Sequence, residues 1–142
     1  MKKMLTAFVA LCLTFPAFAE ELLDANTATL EEMAALPHMD EILAQSVIDN
    51  RPFMSIGILD ELLSADLGEE ELEELYGHLF VPINLNTAAE SDILLIPGVG
   101  DRMAHEFEEY RPYSNIEQFR REIGKYVDEE EVARLEKYVT LD

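Results

Sequence analysis

The chain has 142 residues, 49% of them hydrophobic, which is enough to fold and suits one ordinary domain or two small ones. Thirty Asp and Glu against ten Lys and Arg give a formal charge of −20, which argues against a nucleic-acid coat or a binder of anionic membranes, since both need a cationic face. A single Cys and no Trp exclude a disulfide scaffold, a cysteine zinc site and a cysteine-pair redox motif.

Residues 1–19 open with Lys2-Lys3, continue as an apolar run from Met4 to Phe15, and end on Pro16-Ala17-Phe18-Ala19. A positive start, a short apolar stretch and small residues at Ala17 and Ala19 predict a secretory signal peptide cleaved after Ala19. The run is too short to span a bilayer comfortably and breaks at Pro16. Cleavage removes Cys12 and two lysines, leaving eight bases against 30 acids, a charge of −22. The expected mature protein is soluble, cysteine-free and periplasmic, with no membrane span.

Residues 20–82 read as four short helices. Thr29 with Glu32 has the spacing of a capping box. Leu43/Val47, Ile56/Leu59/Leu63 and Leu72/Leu75/Leu79 each lay one apolar stripe at helical spacing. Pro37 and Pro52 fall between helices, where a missing N–H does least harm.

Residues 83–142 repeat that plan at an offset of 60 without a gap. Asn26-Thr27-Ala28 falls on Asn86-Thr87-Ala88, Arg51-Pro52 on Arg111-Pro112, and Glu69-Glu70-Glu71 on Glu129-Glu130-Glu131. Start signals are expected at Thr87 with Glu90, Ser114 with Glu117, and Asp128 with Glu131. No run alternates with period two. The expectation is an all-α protein of two tandem units, 20–82 and 83–142, each too small for a large core and therefore packed together.

One motif carries chemistry. Ile96-Pro97-Gly98-Val99-Gly100 is an apolar-x-Gly-apolar-Gly turn between two helices, a helix-hairpin-helix. The glycines allow a tight turn and a close approach of bare backbone, and the helix that follows starts with free N–H groups that suit a phosphate. Asn84-Leu85-Asn86-Thr87-Ala88, the run Leu94–Gly100, Ala104, Arg111 and the aromatic segment after it resemble the ComEA family of DNA-uptake proteins. Unit two covers that domain and unit one repeats it in degenerate form. The resemblance implies hairpins that grip duplex DNA without reading sequence, during competence, with that role falling on Pro97, Gly98, Val99, Gly100 and Arg102. The fold also resembles the extrinsic photosystem II subunit U, where it docks on protein, an analogy of fold only.

The residues themselves pull the other way. Unit one has Leu36-Pro37-His38-Met39-Asp40 in place of the glycine turn, and both second hairpins open on three glutamates, where the helix dipole favours the protein's own anions over a phosphate. Residues 20–82 carry Arg51 alone against 16 acids, net −15; residues 83–142 carry seven bases against 14 acids, net −7. Arg120, Arg121 and Lys125 form a possible accessory basic edge, though pairing with neighbouring glutamates, as of Arg134 with Glu130 or Glu131, is favoured. His38, His78 and His105 have no metal-ligand spacing, and no catalytic constellation or P-loop is present, so neither an enzyme nor a metal site is expected. No cofactor is expected either, beyond a monovalent ion that the Ile96–Gly100 hairpin carbonyls could hold. The favoured function is a periplasmic protein-protein adaptor whose partner bears a basic patch; the alternative is double-stranded DNA binding of the ComEA type.

Overall fold

A computed structural model describes residues 21–142; the signal-peptide segment and its cleavage point lie outside the described residues. Eight short helices dominate them, in an order that occurs twice. The first half runs β1 (Leu23–Asp24), α1 (Leu30–Ala34), α2 (Glu41–Asp49), α3 (Ile56–Leu63), α4 (Glu69–Tyr76) and β2 (Leu79–Phe80). The second runs β3 (Ile83–Asn84), α5 (Glu90–Ile93), α6 (Asp101–Glu109), α7 (Ile116–Ile123), α8 (Glu129–Glu136) and β4 (Val139–Thr140). Each element starts 60 residues after its counterpart.

The strands correct the all-α expectation: the protein is mainly helical, with two small parallel strand pairs. β1 pairs with β2 (Leu23 opposite Leu79) and β3 with β4 (Ile83 opposite Val139), so each half begins and ends side by side. Strands of two residues show no alternation to a reader of sequence. Leu79, expected on the helical stripe with Leu72 and Leu75, lies past the end of α4 in β2, opposite Leu23.

Helix starts follow local chemistry with some shifts. Thr29 and Glu32 make the expected reciprocal box, at 3.2 and 2.8 Å. The proposed Thr87–Glu90 box does not form, because the cap of α5 falls two residues later, on Ala89, which has no capping side chain. At α7 the cap is Asn115, which accepts from Gln118 N at 2.9 Å, instead of Ser114 with Glu117. Asp128 accepts from Glu131 N, but the Glu131 carboxylate turns to Arg134 and leaves the box half made.

The two repeated tripeptides and dipeptides meet each other. Asn26 Oδ1 accepts from Phe53 N at 2.7 Å, and Asn26 Nδ2 donates to Phe53 O at 3.0 Å. Arg51 donates from Nε to Ala25 O at 2.6 Å and from Nη2 to Ala28 O at 2.5 Å. The second half repeats this with Asn86 on Tyr113, and Arg111 on Leu85 O and Ala88 O. Both Arg-Pro bonds are cis. Asn-Thr-Ala and Arg-Pro therefore recur because together they tie the start of each half to its middle.

Buried positions repeat as well: Met33 and Ile93, Ala44 and Ala104, Val47 and Phe107, Leu59 and Phe119, Leu63 and Ile123, Leu75 and Leu135. They form one cluster spanning both halves. The junction is aromatic, with Phe80 edge-on to Tyr138 at 4.8 Å between ring centres and the buried Tyr138 hydroxyl donating to Tyr76 O at 2.9 Å. Asp92 of α5 adds a polar tie, accepting from Gly57 N of α3 at 3.1 Å. A Cβ at Gly57 would stand 2.7 Å from that carboxylate, so any larger residue there would push Asp92 out of this contact. Among the described residues no helix is long and apolar enough to cross a membrane.

Candidate functional site

The turn from Ile96 to Gly100 joins α5 to α6. Ile96 and Val99 point into the core, and Val99 N donates to Ile96 O at 3.0 Å, which leaves Pro97, Gly98 and Gly100 toward the surface. Gly98 has φ +79°, a left-handed conformation that a side chain disfavours. Arg134 of α8 lies behind it, donating from Nη2 to Pro97 O at 2.8 Å while pairing with Glu131 at 2.7 and 2.8 Å. That hydrogen bonding holds the Glu131 carboxyl below its ordinary range and Arg134 above its own. Gly100 is the cap residue of α6, has no side chain to close the helix start, and faces open space. Arg102 follows in the first turn, exposed, and among the described residues it makes no ion pair or hydrogen bond.

The equivalent turn of the first half has the same shape with different chemistry. His38, aligned with Gly98, holds φ +64°, and its Nε2 lies 2.7 Å from Oε2 of Glu74, the counterpart of Arg134. Asp40, aligned with Gly100, accepts from Leu43 N at 2.8 Å and closes α2 with a carboxylate. The left-handed residue of this turn is thus His38, at the place of Gly98. The helices after the second hairpins are also served by acids: Glu71 accepts from Gly68 N at 2.9 Å before α4, and Asp128 from Glu131 N at 2.9 Å before α8. Of these four helix starts, only that of α6 is closed by no carboxylate hydrogen bond, and Asp101 stands in its first turn.

The accessory bases are committed elsewhere. Arg120 bonds to both oxygens of Glu136, at 2.8 and 2.5 Å, holding that carboxyl below its ordinary range. Arg121 and Lys125 converge on Glu122, whose carboxyl is lowered first by the Lys125 hydrogen bond. Lys125 also lies over the Tyr110 ring, 5.1 Å from its centre. His105 faces Glu109 at 3.6 Å on its own helix. Among the described residues no cluster of three or more His, Cys, Asp or Glu is placed to hold a metal.

A groove of about 760 Å³ runs between the halves beside the Gly98 turn. One wall is the backbone and apolar side chains of Leu94 to Gly100; the other is α3, α4 and the turn between them, with Asp60, Ser64, Leu67, Glu69, Leu72 and Glu73. Tyr76, buried beneath it, donates its hydroxyl to Asp60 at 2.7 Å. Burial chiefly, then the Asp60 contact, keeps that phenol protonated well above its usual range. Three carboxylates and no Lys or Arg line this groove. The sequence showed the glycine turn but not its neighbour, because nothing in the pattern of either half says which helices of the other will face it. Comparison with protein-family models, curated proteins and solved structures found no match to this chain.

Proposed function

We propose that the chain is an exported, non-enzymatic binding protein of two helix-hairpin-helix units, 20–82 and 83–142, of the ComEA type with the first unit degenerate, acting in the periplasm as an acidic protein-protein adaptor. The observation that carries this reading is the wall opposite the open Gly98 turn: Asp60, Glu69 and Glu73 stand across the groove, and among the described residues no Lys or Arg lines that space. A duplex phosphate entering there meets a negative field, and Arg120, Lys125 and Arg134 are held by Glu136, Glu122 and Glu131. Non-specific DNA affinity comes mainly from such neutralisation. The Pro97 carbonyl, which a hairpin-bound monovalent ion would use, already accepts from Arg134.

Duplex DNA binding stands as a second reading on one observation, the uncapped start of α6 with the unpaired Arg102 beside it. Fluorescence anisotropy with a labelled duplex at physiological salt separates the two. The adaptor reading expects binding at or weaker than about 10⁻⁴–10⁻⁶ M, the ordinary non-specific range, with little change in Arg102→Glu. Tight binding that collapses in Arg102→Glu overturns it in favour of a DNA receptor. Mass spectrometry of exported protein should find Glu20 at the N-terminus; a lipid on Cys12 would refute the soluble periplasmic form.

A further inference from the structure

We infer that the groove between α3/α4 and the Leu94–Gly100 turn is the adaptor's docking site, and that its occupant is a cationic amphipathic segment of a partner protein; the inference rests on the adaptor reading above. Two properties of the groove select that chemistry. Its apolar lining is the exposed Leu94 and the half-buried Leu67 and Leu95, backed by the buried Leu72, Ile96 and Val99, a surface suited to a leucine or similar anchor. Above that surface stand Asp60, Glu69 and Glu73, with no lysine or arginine to neutralise them, so the complementary segment carries positive charge beside its apolar anchors.

Geometry favours insertion over mere surface attraction. A volume of about 760 Å³ lies within the ordinary range for sites that take up side chains. Gly68, Gly98 and Gly100 all line it, so part of each wall is bare backbone. A Cβ at Gly100 would meet nothing within 4 Å, which places open space beside α6 where an incoming side chain needs it. The groove also lies between the halves, so a segment seated in it touches both and binds the arrangement that the Asp92–Gly57 and Tyr138–Tyr76 contacts maintain. Helix-in-groove recognition uses apolar anchors at helical spacing in this way.

The test uses a fluorescein-labelled synthetic peptide of about four helical turns, leucine on one face and lysine on the other, and a second peptide of equal charge with the leucines replaced by glutamine. Anisotropy is measured with the mature protein, with Glu69→Gln/Glu73→Gln in the groove, and with Glu129→Gln/Glu130→Gln, an equal charge change on exposed positions of the other half. The leucine peptide should bind more tightly than the glutamine peptide by about tenfold, a hydrophobic anchor's effect. The groove variant should weaken it several-fold, and the control variant by less than about twofold. Amide NMR shifts should move at Gly68, Gly98 and Gly100. Equal affinity for both peptides, or an equal loss in both variants, means attraction to net charge alone and overturns the inference. Leucine-dependent binding with shifts on another face overturns the groove but leaves the adaptor reading standing. Failure of the leucine peptide to bind overturns the groove, and tight duplex binding in the same assay removes the adaptor reading with it.

Discussion

His38 and Gly98 occupy the same place in the two halves and hold nearly the same backbone, at φ +64° and +79°. The turn is therefore imposed by what surrounds it, chiefly Met39 and Val99 buried beneath, and not by glycine alone. What differs is what each turn presents. The first covers itself with His38 on Glu74 and closes its helix with Asp40; the second is bare, backed by Arg134, and leaves α6 open. One scaffold thus carries a sealed turn and an open one, and the open one borders the groove between the halves.

The shared scaffold can be broken at its arginines, and this should be the largest effect. Arg51 and Arg111 each satisfy two backbone carbonyls in partly buried surroundings. Truncation leaves those carbonyls without a donor, so Arg51→Ala and Arg111→Ala should each lose about 2–4 kcal/mol in urea unfolding. Lysine at either position should recover only part, because a single ammonium does not reproduce the forked contacts. A large loss at one arginine and none at the other would show that the halves are equivalent in sequence but not in energetics.

Next in size is the turn itself. Gly98→Ala puts a side chain at φ +79° and 3.3 Å from the Arg134 guanidinium, and should lose about 1–2 kcal/mol. His38→Gly should move the other way, gaining up to about 1 kcal/mol as relief of the left-handed backbone outweighs the added chain entropy. The His38–Glu74 contact offsets little of this, since the two side chains are 29% and 62% exposed. A loss of stability in His38→Gly would mean that the His38–Glu74 hydrogen bond, and not the buried surroundings, holds the first turn.

This comparison also marks what a sequence can say. The repeat, the four helices per half, the proline stops and the positions of the core were legible, because period and spacing report directly on which face of a helix is buried. The motif residues most visible in the sequence had a different meaning from the one a binding role suggests. Asn26, Arg51 and their counterparts are repeated for internal hydrogen bonds, and only the structure distinguishes that from a ligand contact. The strand pairs were too short to leave a pattern. The groove and the Asp92–Gly57 tie were not legible at all, since both depend on how one half sits on the other.

That tie is one-sided, which makes it a sharper probe of the junction. Ser55 begins α3 without a capping bond of its own, and Asp92 reaches across to serve Gly57 N. The counterpart of Asp92 is Glu32, which caps its own helix. Asp92→Ala should lose about 1 kcal/mol, the ordinary value of a helix cap, while opening the groove side of the junction. Faster hydrogen exchange at Gly57 and Ile58 would report it. No change would leave the shared apolar core, with the Phe80–Tyr138–Tyr76 contacts, as the support of the junction.

The smallest expected effect separates the halves by charge. Arg120 with Glu136 in the second half aligns with Asp60 and Tyr76 in the first, so an ion pair stands where its counterpart is a phenol donating to a carboxylate. Arg120 hydrogen bonding holds the Glu136 carboxyl below its ordinary range, so its folded value lies below its unfolded one. The stabilisation is then fully present above the ordinary carboxylate range and is lost as pH falls through the depressed value. Arg120→Gln removes this linkage. Wild type and variant should differ most near neutral pH, and the two stabilities should converge as pH falls below about 4. The gap at neutral pH should also narrow with added salt, because the arginine is half exposed. Urea unfolding across that pH range measures it. Parallel curves would show that Glu136 titrates independently of Arg120, and that the ion pair contributes nothing to the difference between the halves.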